Sequence, residues 1–239
     1  MPNPMTRNSE TMIFNDRKVL LNGRANADWL LVQPVDGHDI TELDAELDYL
    51  DAHAGDAYLH VAYPVARWNE ELTPWPAPPV IGKTPFGDGA GMTLEHLKSL
   101  IGRITECKQG VRVVIGGYSL AGLFALWASC QTGFFAATVA ASPSLWFDGW
   151  LDYAAQHPMM SQAVYLSLGD KETHSKNKTL ATIAQCMERQ ADIVSKQQVR
   201  CVMEWNAGNH FQDNGLRMGK GFAWVMNHLS DGREKANTP

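Results

Sequence analysis

Residues 111–130 read VRVVIGGYSLAGLFALWASC. Residues 111–117 are β-branched or glycine except for Arg112, and residues 120–130 mix large and small apolar side chains with no polar stripe. That pattern predicts a short buried strand running through a tight turn into a helix buried on most faces. At the peak of the turn stands Ser119, flanked by Gly116, Gly117, Ala121 and Gly122. Small neighbours allow close packing of a strand on a helix. They also allow a serine to be held in strained backbone angles at the N-terminus of a helix, where unpaired N–H groups and the helix dipole favour developing negative charge.

Outward from that turn, apolar patterns alternate between strand and helix. Strands are expected at 27–36, 57–65, 135–144, 162–170 and 199–208, and helices at 39–53, 93–108, 178–197 and 219–231. In the helix at 39–53 the apolar positions 40, 43, 47 and 50 are spaced 3, 4 and 3, with Thr41 or Asp39 placed to cap its start. Strands alternating with helices predict an α/β class protein: a mostly parallel, doubly wound sheet with helices on both faces, as a single domain over 1–239 with a disordered tail at 232–239. Active groups in such sheets follow the carboxyl ends of strands. Residues 66–91 hold five Pro and four Gly in 26 positions, too many for a regular element, and read as a long ordered loop: a lid, or a surface for a second copy of the chain in a homodimer.

Composition narrows the function classes. Twenty Lys and Arg stand against 26 Asp and Glu, and the positive charges form no cluster, which disfavours nucleic acid as a partner. No apolar stretch reaches the ~20 residues that span a bilayer, and the first residues lack the apolar core of a signal peptide, so a cytoplasmic protein without membrane contact is expected. The four cysteines, at 107, 130, 186 and 201, have no metal-ligand spacing and read as reduced thiols; no metal and no cofactor are expected.

The segment Gly117-Tyr118-Ser119-Leu120-Ala121 matches the nucleophile-elbow pattern G-x-S-x-[GA], in the strand-turn-helix context that the pattern needs. A serine nucleophile needs a base and an acid, and in chains with this elbow they follow it in the order acid, then histidine. Of the later histidines, 157, 174, 210 and 228, His210 lies in the polar loop NAGNHFQD directly after a strand. For the acid, YLSLGDKETH offers Glu172, third after Gly169, and Asp170 as the alternative. Two backbone N–H donors complete an oxyanion hole: Leu120, after the serine, and a residue of PVDGHD, either Asp36 or Val35. Tyr118, Trp68, Trp75 and Trp146 are candidates for the walls of a substrate pocket, since rigid aromatics suit an apolar site.

Together GGYSLAGLFALW, AASPSLWF, SLGDKE and GNHF resemble the esterase family of the α/β-hydrolase superfamily that includes esterase D, feruloyl esterases, enterochelin-type esterases and mycolyltransferases. The resemblance covers about 27–229. It implies an α/β-hydrolase fold and hydrolysis of a small-molecule carboxylic ester through an acyl-enzyme on Ser119, with His210 and Glu172. Acyl transfer, thioester or peptide hydrolysis would use the same residues, and a non-catalytic binding protein could keep the scaffold. The chain departs from larger members in having little before its first core strand and in the Trp-rich segment RWNEELTPWPAPPVIGKTPFGDGA.

Overall fold

The computed structural model describes residues 7–106 and 108–234. Eight strands form one sheet in the order β1-β2-β4-β3-β5-β6-β7-β8. They are β1 (Ser9–Phe14), β2 (Arg17–Gly23), β3 (Trp29–Val35), β4 (Tyr58–Pro64), β5 (Arg112–Tyr118), β6 (Ala137–Ala141), β7 (Ala163–Gly169) and β8 (Arg200–Asn206). From β4 to β8 all neighbours are parallel, as the alternating pattern predicts. The β1–β2 hairpin adds antiparallel pairs at one edge and is absent from the sequence expectation. Its signal is Asn15-Asp16: both adopt positive φ, 47° and 59°, in the two-residue turn that joins the strands.

Seven α-helices are described, α1 (Gly37–Ala54), α2 (Trp68–Glu71), α3 (Ala90–Ile104), α4 (Leu120–Gln131), α5 (Trp150–Gln156), α6 (Ile183–Lys196) and α7 (Asn214–Glu234), with a short 3-10 turn at Leu180–Thr182 ahead of α6. Leu43, Leu47 and Leu50 of α1 pack with Met218, Phe222 and Val225 of α7 on one face of the sheet. Helices α3 to α6 cover the other, where Leu97, Phe124, Trp150 and Met187 are buried. Gly215 lets α7 lie against the α1 backbone, since a Cβ there would collide with the Glu42 carbonyl.

Several boundaries differ from expectation. Helix α1 is capped neither by Thr41 nor by Asp39: Asp36 is the N-cap, accepting the N–H groups of His38 and Asp39, and Asp39 returns the bond to the Asp36 N–H in a capping box. Ile40 is exposed, and Asp39 and Glu46 are buried instead beside Leu43, Leu47 and Leu50. Helix α3 stops at Ile104 rather than 108. Helix α7 begins five residues earlier than 219 and runs through 232–234, while 235–239 of the expected tail lie outside the described residues. Helix α5, too short for a periodic signal, is an addition.

The 66–91 segment is not wholly irregular. It contains α2, closes an Ala77–Phe86 bridge, and is tied down by Thr73 Oγ1 donating to Asn69 and Gly87 carbonyls and by Asn177 Nδ2 donating to the Val80 carbonyl. Among the described residues no helix is long and apolar enough to cross a membrane.

Two glycines make opposite predictions. A Cβ on Gly117 would collide with the Ala121 backbone, whereas Gly102, exposed within α3, has open space around it. Gly117→Ala should lower the thermal midpoint by the equivalent of about 1–3 kcal/mol of overpacking. Gly102→Ala should raise it, by about 0.5–1 kcal/mol of helix propensity. Melting curves that move together would contradict the close-approach argument.

Candidate active site

The sheet reverses its winding between β3 and β5: the chain goes outward from β3 to β4 and then crosses back to β5. At such a switch point the carboxyl ends of neighbouring strands part and leave a crevice. Ser119 stands there, between β5 and α4, at φ 56° and ψ −119°. For a non-glycine residue that conformation costs on the order of 1–3 kcal/mol and persists only where the surroundings enforce it. Here they do: the Ser119 N–H donates to the Ala141 carbonyl at 3.0 Å, and the Ser119 carbonyl accepts from Gly122, Leu123 and Ser144.

Two loops from later strands meet the serine. His210, after β8, has Nε2 3.0 Å from Ser119 Oγ and Nδ1 2.7 Å from Glu172 Oε2. With Nδ1–H donating to the carboxylate, Nε2 is left as the acceptor for the serine hydroxyl. Glu172, in the loop after β7, is 5% exposed against 32% for His210. Its other oxygen, Oε1, accepts from Ser142 Oγ (2.7 Å), the Gly169 N–H (2.7 Å) and Arg217 Nη1 (3.0 Å). Burial opposes ionisation of Glu172, but the bonds from His210, Ser142 and Gly169 outweigh it and hold the carboxyl below its usual range.

Asp170 does not touch His210. It accepts the Gly208 N–H at 2.8 Å and so fastens the histidine loop to the acid loop. His157 and His228 each bond a carbonyl of their own helix, and neither they nor His174 line the cavity beside Ser119.

That cavity, about 380 Å³, opens beside Ser119 and His210. Tyr118, Trp68, Trp146 and Phe86 supply apolar wall, and Lys83 lies at its edge. Trp75 is not part of it; its ring packs on Phe147 and Tyr153 and its Nε1–H donates to the Asp148 carbonyl. Exposed Ile81 and Phe211, 64% and 75% accessible, stand at the mouth. Leu120 lines the cavity at the first turn of α4, where N–H groups have no intrahelical partner. Of the two residues expected to supply the second donor, Val35 is buried in the core and Asp36 lines the cavity, but its N–H is engaged by Asp39 Oδ2 at 3.1 Å.

Arg217, Ser142, Ser144 and Phe211 belong to this site but are not among the site residues expected from the sequence, although Ser142 and Ser144 lie in AASPSLWF and Phe211 in GNHF. Arg217 lies in the first turns of α7, ahead of the expected helix start; extending the 3.6-residue spacing back from Val225 through Gly221 would have put it on the buried face. Among the described residues no group of three or more His, Cys, Asp or Glu side chains is placed to hold a metal ion. Cys130, Cys186 and Cys201 are free; burial pushes the Cys130 thiol up to about 12 and Cys201 up to about 11, which keeps both protonated. Cys107 lies outside the described residues.

No protein-family model matches the chain, and no curated relative matches its sequence. Solved structures do. The siderophore hydrolase EstA from Aspergillus nidulans superposes with a TM-score of 0.70 at 17% identity, covering 95% of this chain and 98% of that one. The enterobactin hydrolase IroE, in complex with DFP, gives 0.62 at 16% identity, with 94% of each chain covered. The chain has the α/β-hydrolase fold. A third α/β-hydrolase neighbour, the enterobactin esterase FES from Shigella flexneri, gives 0.59 at 14% identity and covers 93% of this chain but 60% of its own length.

Asp39 offers a test of the electrostatics on the α1 side of this hydrolase-fold cavity. Burial, then the charges of Asp36 and Glu46, push its carboxyl up from 3.8 to about 7 against the opposing Asp36 N–H bond. The folded chain therefore holds a proton that the unfolded chain has released, and stability falls as pH rises from 3.8 to about 7. Asp39→Asn keeps an oxygen for the Asp36 N–H and removes that loss. Its stability relative to the parent should climb across the same window and level off above it in urea titrations; a pH-independent difference would contradict the assignment.

Proposed function

We propose that this chain hydrolyses carboxylic esters with Ser119 as nucleophile, His210 as general base and then acid, and Glu172 as the carboxylate that orients His210. One observation carries the reading: His210 stands between the other two, 3.0 Å from Ser119 Oγ and 2.7 Å from Glu172 Oε2. The neighbours named siderophore and enterobactin hydrolases support ester chemistry on this fold.

In this reading Ser119 Oγ attacks the ester carbonyl as its proton passes to His210 Nε2, and Glu172 stabilises the imidazolium so formed. The tetrahedral oxyanion faces the N-terminus of α4, with the Leu120 N–H as first donor. The Asp36 N–H joins as second donor when Asp39 releases it. Collapse breaks the bond to the alcohol oxygen, which takes the proton from His210, and leaves an acyl-Ser119. Water then attacks the acyl carbon, giving its proton to His210, and the second collapse returns that proton to Ser119 and frees the acid. The aromatic wall of Trp68, Trp146 and Phe86 suits an apolar acyl or aryl group.

Ser119→Ala should reduce kcat on p-nitrophenyl acetate by at least about a thousandfold and abolish labelling by a fluorophosphonate, with an unchanged circular dichroism spectrum. Full activity in the purified variant would end this reading. Aryl, short-acyl and siderophore-type esters assayed against the wild type would define the leaving group. Product analysis with added alcohol or amine acceptors separates hydrolysis from acyl transfer, and absence of both activity and labelling in the wild type would favour a binding scaffold.

A further inference from the structure

Arg217 is fully buried in the first turns of α7, at the carboxyl end of the sheet, and does not line the cavity. A guanidinium removed from water is costly unless its charge is paired and its N–H groups are bonded. The pairing here is specific. Nη1 lies 3.0 Å from Glu172 Oε1, from Ser142 Oγ and from the Tyr118 hydroxyl. Nη2 donates to the Asn209 carbonyl at 2.9 Å and the Ala207 carbonyl at 3.2 Å. The Tyr118 hydroxyl in turn donates to the carbonyl of His210 at 2.9 Å.

One planar group thus holds the acid by one nitrogen and the loop that carries the base by the other. We infer that Arg217 is a positioning residue for catalysis, setting Glu172 and His210 relative to each other and sharing the charge of Glu172. The inference rests on the reading of Ser119, His210 and Glu172 as a working triad. By engaging Oε1, Arg217 leaves Oε2 to His210 Nδ1, so each carboxylate oxygen has a separate cationic neighbour when His210 is protonated. The permanent positive charge of Arg217 beside Oε1 also offsets part of the negative charge that Glu172 presents to His210. A lysine could supply the charge but not the two-directional fork.

The pH dependence of such a site has other contributors. Asp36, His38 and Asp39 of the α1 side and Lys83 of the 66–91 segment share the cavity with His210, and Asp170 lies behind its loop on the Gly208 N–H. All five are unaltered in variants of Arg217, so a change in profile reports the guanidinium.

The test compares Arg217→Met and Arg217→Lys with the wild type, Ser119→Ala and His210→Ala, in p-nitrophenyl acetate hydrolysis and in the rate of fluorophosphonate labelling between pH 5 and 9. Arg217→Met should lose about tenfold to a hundredfold in kcat, the range typical of partners that orient catalytic ligands, with KM nearly unchanged because Arg217 is outside the cavity. Its acidic limb should move to higher pH. Arg217→Lys should keep the limb in place while kcat falls, since charge remains and the fork is lost. Folding is checked by thermal melts, and if Arg217→Met does not fold, Arg217→Lys decides alone: wild-type kcat in that variant overturns the inference. A folded Arg217→Met with wild-type kcat and pH profile, changed only in melting temperature, overturns it as well. Activity retained in Ser119→Ala or His210→Ala would instead bring down the triad reading itself.

Discussion

The chain must pass from β5 into α4 at a single residue whose backbone, at φ 56°, a serine adopts only under constraint. Everything near the cavity is arranged around holding that residue there. Gly117 has no Cβ because the Ala121 backbone occupies the space, and the Ser119 N–H is drawn onto β6 through the Ala141 carbonyl. The strain is supported by the rigidity of the parallel sheet, with both faces covered by buried apolar side chains. The result is a hydroxyl raised above the sheet's carboxyl edge with a helix N-terminus behind it.

The electrostatics of the site follow from where each carboxylate finds its donors. Glu172 is buried but surrounded by N–H and O–H groups, and stays ionised. Asp39 is buried among other acidic groups with one backbone donor, and is pushed up to about 7. The two differ in what faces them, not in chemical type. Tying the Asp36 N–H to Asp39 also couples the cap of α1 to the cavity wall, because both residues line the cavity and share one hydrogen bond.

Much of the fold was legible because its period is strong: six apolar runs became the parallel strands β3 to β8, and the apolar stretch 120–130, broken only by Ser129, became the buried helix α4. The hairpin β1–β2 was not, since its residues are mixed with charge and half exposed, leaving only Asn15-Asp16 as a turn signal. Within the site, Ser119 and His210 could be picked out by the turns they follow. Spacing from Gly169 favoured Glu172 and kept Asp170 as the alternative, because both follow β7; the loop path turns Glu172 toward His210 and Asp170 toward Gly208. Arg217 was hidden for a different reason: an arginine in an amphipathic helix looks like solvent-facing charge until the carbonyls of a distant loop are brought to it.

The 66–91 segment reaches Asn177 through the Val80 carbonyl and the β6–α5 connection through Trp75, and is cross-linked within itself by Thr73 and the Ala77–Phe86 bridge. These anchors are separated along the chain but act on one short span, so Ile81, between Val80 and Phe86, is carried by a stretch tethered on both sides. Keeping such a tethered wall of the cavity in place costs little further conformational entropy when a molecule enters beside it.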